Sequence, residues 1–138
     1  MKRLFDKIEI TVVDHRSQRY PTVGDWQFGQ TPGFKNVLFV KVSNMNNWKS
    51  ELAVAVHEVV EALLCEEAGV KDDSVTQFDL DFEEERNAGK HGQEDEPGDD
   101  PRAPYRKQHL AATKVEEVLC DELGIRWIDH DANVNKLP

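Results

Sequence analysis

His57-Glu58-Val59-Val60-Glu61 sits inside the run Leu52 to Cys65, LAVAVHEVVEALLC, in which His57, Glu58 and Glu61 are the only polar side chains. On a helix turning about 100° per residue, apolar side chains fill almost the whole circumference, so this segment is expected to be buried on most sides. His57 and Glu61, at i and i+4, then lie about 40° apart on one stripe with Ala53 and Leu64. An ionised carboxylate in such surroundings is strongly disfavoured, or takes up a proton, unless something compensates it, and a divalent cation is one such compensator. An imidazole at i and a carboxylate at i+4 can converge on one ion, and Glu58, beside the first ligand, is placed to act as general base toward a water on that ion. The bland alternatives are a hydrogen-bonded core histidine for His57 and a solvent-facing helix edge for Glu58.

Further ligands must come from elsewhere in the chain. A second helix is expected from just after Pro104 to Leu123, stopped by Gly124, and Tyr105, His109, Ala112, Thr113, Glu116 and Cys120 fall in one sector of its wheel. Small residues in that sector allow close approach to the first helix. His109 and Glu116 are roughly 10.5 Å apart along a straight axis and do not easily share one compact ligand shell. His109 is favoured as third ligand because it completes a two-imidazole, one-carboxylate set. Glu116 is kept as a fourth ligand or as the acceptor behind an imidazole N–H. Tyr105 reads as an aromatic packed on the core or as an oxyanion stabiliser, and Cys65 and Cys120 read as small buried core residues rather than ligands.

The pentapeptide His57-Glu58-Val59-Val60-Glu61 resembles the zincin motif His-Glu-x-x-His, with Glu61 in place of the second histidine and a strand before the helix. The resemblance implies a zincin-like, peptidase-like hydrolase with Glu58 as the catalytic base. In gluzincin-type members the third ligand is a glutamate from a later helix, which is similar to the placement of Glu116. The N2O ligand set suits Zn, and a harder set would also suit Mn or Fe. In a general way HEVVEALLC and PYRKQHLAATKVEEVLC make the chain similar to small proteins encoded by tailed bacteriophages, which implies the bacterial host cytoplasm as its setting.

These helices need a scaffold. Ile8, Ile10 and Val12 alternate with Glu9 and Thr11, Val37 to Val42 reads as a better buried strand, and Trp26 to Phe28 can add a short third. Asn44 to Asn47 offer N-cap side chains to a helix from Trp48 to Ala68 that Gly69 stops. Val75 to Phe82 has partial alternation and is expected to be extended, Gly89 to Pro101 an exposed loop, and Ile125 to Pro138 a tail anchored by Trp127 and Ile128. The fold class that follows is α+β: a small antiparallel or mixed N-terminal sheet followed by two packed helices, a zincin-like minimal core. A chain of 138 residues suits one domain over 1–138, with an acidic loop or insertion at about 72–101. Val60 to Val70 also aligns without a gap on Val115 to Ile125, either by convergence of two glycine-stopped helix ends or as a pseudo-twofold that pairs Glu61 with Glu116.

The net charge of -10 is carried by one stretch, because Asp72 to Asp100 holds twelve acids and two bases. That balance argues against a protein that wraps nucleic acid with its whole surface, and no direct nucleic-acid binding is expected. No apolar run is long enough for a membrane span, and Asp6 and Lys7 interrupt the start where a signal peptide needs its apolar stretch, so a cytoplasmic protein with reduced thiols is expected. The acidic stretch reads as a solvated loop, as a lid over a site between the helices, or as a surface for a basic protein partner, while His91 within it is expected to be exposed. The leading reading is a small metal-dependent hydrolase acting on a peptide or small molecule. The alternatives are a non-enzymatic acidic inhibitor that uses 72–100, and a Mg-dependent nucleotide pyrophosphohydrolase of the MazG kind, to whose Glu-rich helices Glu58, Glu61, Glu66, Glu67, Glu117 and Asp121 are superficially similar.

Overall fold

The computed structural model describes residues 1–137, and the last residue of the expected tail, Pro138, lies outside them. Alternating β-branched residues form β1 (Lys7–Val13), while β2 (Gly24–Thr31) and β3 (Phe34–Ser43) make a hairpin whose turn needs Gly33 at φ 86°. The sheet order is β1-β3-β2, with β1 parallel and β2 antiparallel to β3, so the sheet is mixed. Val37, Leu38, Val40 and Val42 of the central strand are at most 1% exposed. On edge strand β1, Ile10 and Val12 stay half exposed.

Helix α1 (Trp48–Ala68) begins at Asn47, whose side chain accepts the Ser50 N–H, and ends at Gly69 with φ 75°. A left-handed residue there lets the Val70 N–H reach back to the Cys65 carbonyl at 2.9 Å. Within Leu52–Cys65 only Leu52 and Leu64 are exposed, because β2 and β3 cover one side of α1 and α3 (Arg106–Glu122) covers another. Ala53, Ala62 and Ala112, each 0% exposed, keep side-chain bulk out of that packing. The second helix end repeats the first: Gly124 has φ 74° and the Ile125 N–H reaches the Cys120 carbonyl at 2.9 Å.

The α+β class with a mixed sheet is as expected, but among the described residues four α-helices follow the sheet rather than two. Val75 to Phe82 is not extended; it lies within α2 (Asp72–Asn87). Phe78, Leu80 and Phe82 alternate like a strand, yet Val75, Asp79 and Phe82 are the residues buried, at the i, i+4, i+7 spacing of a helix, and Leu80 is exposed. Asp72 and Asp73 in its first turn suit the helix dipole. Likewise Trp127–Asn135 forms α4, anchored not by Ile128, which is 70% exposed, but by His130, which is 1% exposed. His91 is not freely exposed: its ring stacks on Phe82 at 3.9 Å and its Nε2 lies 3.2 Å from Glu85.

The stretch after α2 is tied down by two arginines. The Arg86 guanidinium donates to the carbonyls of Gly92, Gln93 and Asp95, and Arg102 pairs with Glu85 at 2.8 Å and Asp100 at 2.9 Å. A short 3-10 turn, Pro97–Asp99, then lies against α3. Trp26, Leu38, Val54, Ala62, Val75 and Tyr105 belong to one apolar cluster that joins the sheet to α1, α2 and the start of α3. Among the described residues no helix is long and apolar enough to cross a membrane.

Candidate metal centre

Helices α1 and α3 pack against each other and bury His57, Glu61, His109 and Glu116. His57, Glu61 and His109 are 6%, 5% and 6% exposed. Both imidazoles converge on one carboxylate oxygen: Glu61 Oε2 is 3.1 Å from His57 Nε2 and 2.9 Å from His109 Nδ1. The rings meet edge to face with centroids 4.8 Å apart. Trp26 of β2 donates its indole N–H to the other oxygen, Oε1, at 3.0 Å, which fixes the rotation of the carboxylate.

Glu116 does not join that triad. Its Oε1 lies 2.8 Å from His57 Nδ1, off the ring N–H direction, and its Oε2 accepts from His130 Nε2 at 2.6 Å. His130 Nδ1 in turn meets Ser50 Oγ at 3.0 Å. The two glutamates that align between the helices therefore sit on opposite nitrogens of one imidazole. Glu58 is buried rather than at a solvated edge, and it packs where β2 comes closest: a Cβ at Gly24 would lie 2.6 Å from Glu58 Oε1 and 2.8 Å from Val54 Cγ1. Only glycine fits there without displacing the carboxylate.

Burial disfavours the charged form of His57, but the carboxylates of Glu116 and Glu61 outweigh it and raise the imidazole to about 10. Burial acts the same way on His109, where Asp99, Glu61 and Glu96 outweigh it and raise the ring to about 12. Burial pushes Glu61 up, yet the two imidazoles hold it below the usual carboxylate range. For Glu58, burial and the negative charge of Glu61 act together and push its carboxyl well above that range. Without a cation these effects favour the protonated form of both imidazoles and of Glu58 and the ionised form of Glu61.

The geometry fits an ion. One donor atom each from His57, Glu61 and His109 lie within 4.8 Å of one another. Ligands about 2.0–2.2 Å from a tetrahedral ion are themselves about 3.3–3.6 Å apart, so the 3.1 and 2.9 Å separations of the two imidazoles from Glu61 need to open by only a few tenths of an ångström to admit one. A cavity of about 440 Å3 adjoins the triad and is lined also by Tyr20, Asp25, Asp79 and Tyr105, leaving room for water or a substrate group. The chain matches no family model, no curated protein and no solved structure. The site must be read from its own chemistry.

Sequence reasoning missed Trp26, Glu96, Asp99, Asp79 and His130 as members of this region. His130 was detectable, since Trp127, His130 and Val134 repeat at helical spacing with one polar member. Asp79 was detectable in the same way on α2, where it accepts from the hydroxyls of Tyr20 at 2.8 Å and Tyr105. Burial pushes Asp79 up to about 7 against the opposing effect of those hydroxyls. Glu66, Glu67, Glu117 and Asp121 are exposed, whereas Glu58 and Glu61 are buried, so the six acids do not share one surface. His130→Ala is expected to weaken divalent-ion affinity about 10- to 100-fold by releasing Glu116 and, through it, His57. Equilibrium dialysis against a competing chelator measures this, and unchanged affinity would mean that the Glu116–His130 pair does not orient the site.

Proposed function

We propose that the protein holds one divalent transition-metal ion, Zn in the first instance, on His57 Nε2, Glu61 Oε2 and His109 Nδ1, and acts as a zincin-like hydrolase on a peptide or small-molecule substrate. One observation carries the reading: two buried imidazoles from different helices converge on a single carboxylate oxygen beside a cavity. Two nitrogens and one oxygen with a remaining open position form a catalytic rather than a closed structural ligand set. A bound ion would supply Lewis acidity and acidify a water.

The chain's own residues do the rest. Trp26 and Glu116 with His130 hold the ligands in position from behind. Glu58 takes the proton from the attacking water. A neighbouring divalent charge favours its carboxylate form, reversing the effect that burial and Glu61 have on it in the ion-free site. The phage-like sequence features support a bacterial cytoplasm as the setting.

The test is elemental analysis of protein purified without chelators, followed by hydrolysis of labelled casein and a mixed peptide library. Close to one transition-metal ion per chain is expected, with Glu58→Gln retaining the ion and losing hydrolysis by at least about 100-fold. Protein that holds no ion, and is equally stable with and without EDTA, ends the proposal. Loss of the ion in Glu58→Gln would move Glu58 into the ligand set.

A further inference from the structure

The His109 imidazole has a second nitrogen that the inner triad does not use. Its Nε2 is sealed from solvent and makes no aligned hydrogen bond among the described residues. Two carboxylate oxygens nevertheless lie beside it, Glu96 Oε2 at 3.1 Å and Asp99 Oδ1 at 3.3 Å. Both belong to the stretch that Arg86 and Arg102 tie down. Its fit against the ring is tight, since a Cβ on Gly98 would come within 2.3 Å of His109 Cγ. The ring is thus a wall between two donor groups, buried Glu61 and His57 on one side and half-exposed Glu96 and Asp99 on the other.

We propose that Glu96, Asp99 and Nε2 of His109 form a second, outer site for a divalent transition-metal ion at the cavity mouth, with His109 shared between the outer and inner ions. The three donor atoms lie within 4.8 Å of one another, and the 3.1 and 3.3 Å separations from Nε2 are close to the roughly 3.3–3.6 Å between ligands of a common ion. The side chains of Glu96 and Asp99 are 50% and 56% exposed, so water completes the outer shell and that ion exchanges readily. Ions bound about 2.0 Å from each nitrogen would be about 6 Å apart. That exceeds the roughly 3.5–4 Å spacing at which two ions clamp one reacting group. That separation does not place the two ions for joint catalysis. With the outer ion alone the ring is neutral, its proton on Nδ1 facing Glu61. With both ions bound that proton leaves to solvent and the ring bridges as imidazolate.

The inference depends on the inner-site reading only through the shared histidine, and the test separates the two. Protein stripped with EDTA and dialysed is titrated with Zn by calorimetry, with ion content checked by elemental analysis. The wild type is expected to bind two ions per chain, the second at least about 100-fold more weakly. Glu96→Gln/Asp99→Asn is expected to keep the tight ion and lose the weak one, while His57→Ala keeps the weak one. The double variant alters only half-exposed side chains, so it remains decisive if His57→Ala does not fold. A single ion in the wild type that survives in the double variant, at full or at 10- to 100-fold reduced affinity, overturns the outer site and leaves the inner one standing. So do two ions in the double variant. A single ion lost in the double variant but kept in His57→Ala supports the outer site and removes the inner. Absence of any ion removes both.

Discussion

Glu61→Ala is expected to bring metal content from about one ion per chain to a background level, with affinity reduced by at least about 1000-fold. It should also weaken the fold before any metal is added. Glu61 Oε2 faces both imidazoles and Oε1 accepts from Trp26, so truncation removes the one carboxylate that two buried imidazoles and an indole N–H share. Removing one partner of a buried pair typically costs about 3–5 kcal/mol, which for a chain of this size lowers the melting temperature by roughly 10–17 °C. Glu61→Gln separates the two effects, because its amide oxygen can still accept from Trp26 and its volume is unchanged. It should lose most of the metal affinity and less of the stability. Metal analysis and thermal melts in EDTA read both quantities. An Ala variant that retains the wild-type ion content would exclude Glu61 as a ligand, and an unchanged melting temperature in EDTA would show that the imidazole contacts contribute nothing to the fold.

Metal affinity is expected to rise steeply with pH. In the ion-free site His57 and His109 keep their protons up to about 10 and about 12, so an ion must displace two protons to use both nitrogens. Below about 10 affinity increases by at least about 100-fold per pH unit, and more where Glu58 also gives up its proton on binding. The ion-free fold behaves oppositely. Histidines raised above 6.5 contribute stability that is complete below pH 6.5 and is lost as pH climbs through about 10 and about 12. Asp79, raised from 3.8 to about 7, adds a loss between those two values. Glu61, held low, acts the other way: its contribution is present above its ordinary 4.5 and is lost in acid. Between pH 6.5 and 9 the melting temperature in EDTA should therefore fall by at least about 5 °C, while that of Zn-saturated protein holds or rises. Affinity that does not vary across this range would show that the imidazoles are not protonated in the ion-free site, or do not bind the ion.

Helix α1 was readable from its residues because everything that makes it is local. Asn47 caps it, Gly69 ends it, and three polar side chains stand out against an apolar background. The same held for the sector of α3 that carries His109 and Glu116. Helix α2 was misread because Phe78, Leu80 and Phe82 satisfy a period of two while Val75, Asp79 and Phe82 satisfy the helical one, and only a packing partner chooses between them. Helix α4 was missed for a related reason. Its inward residue is a histidine, which counts as polar until Glu116 and Ser50 are seen to receive it.

What the chain encodes residue by residue is a set of elements and a shortlist of chemistry: strands, capped helices, and the imidazole and carboxylate groups of 57, 58, 61, 109 and 116. Docking of α1 against α3 alone decided that His57 and His109 meet on one oxygen of Glu61, and that Glu116 stands behind His57 instead of beside it. Docking also brought Trp26, His130 and the Glu96–Asp99 turn to the same place from positions up to 104 residues apart. Backbone hydrogen bonds and side-chain periodicity act over a few residues and leave their mark in order along the chain. Convergence of groups from distant segments depends on which apolar faces bury one another, and that is a property of the packed molecule.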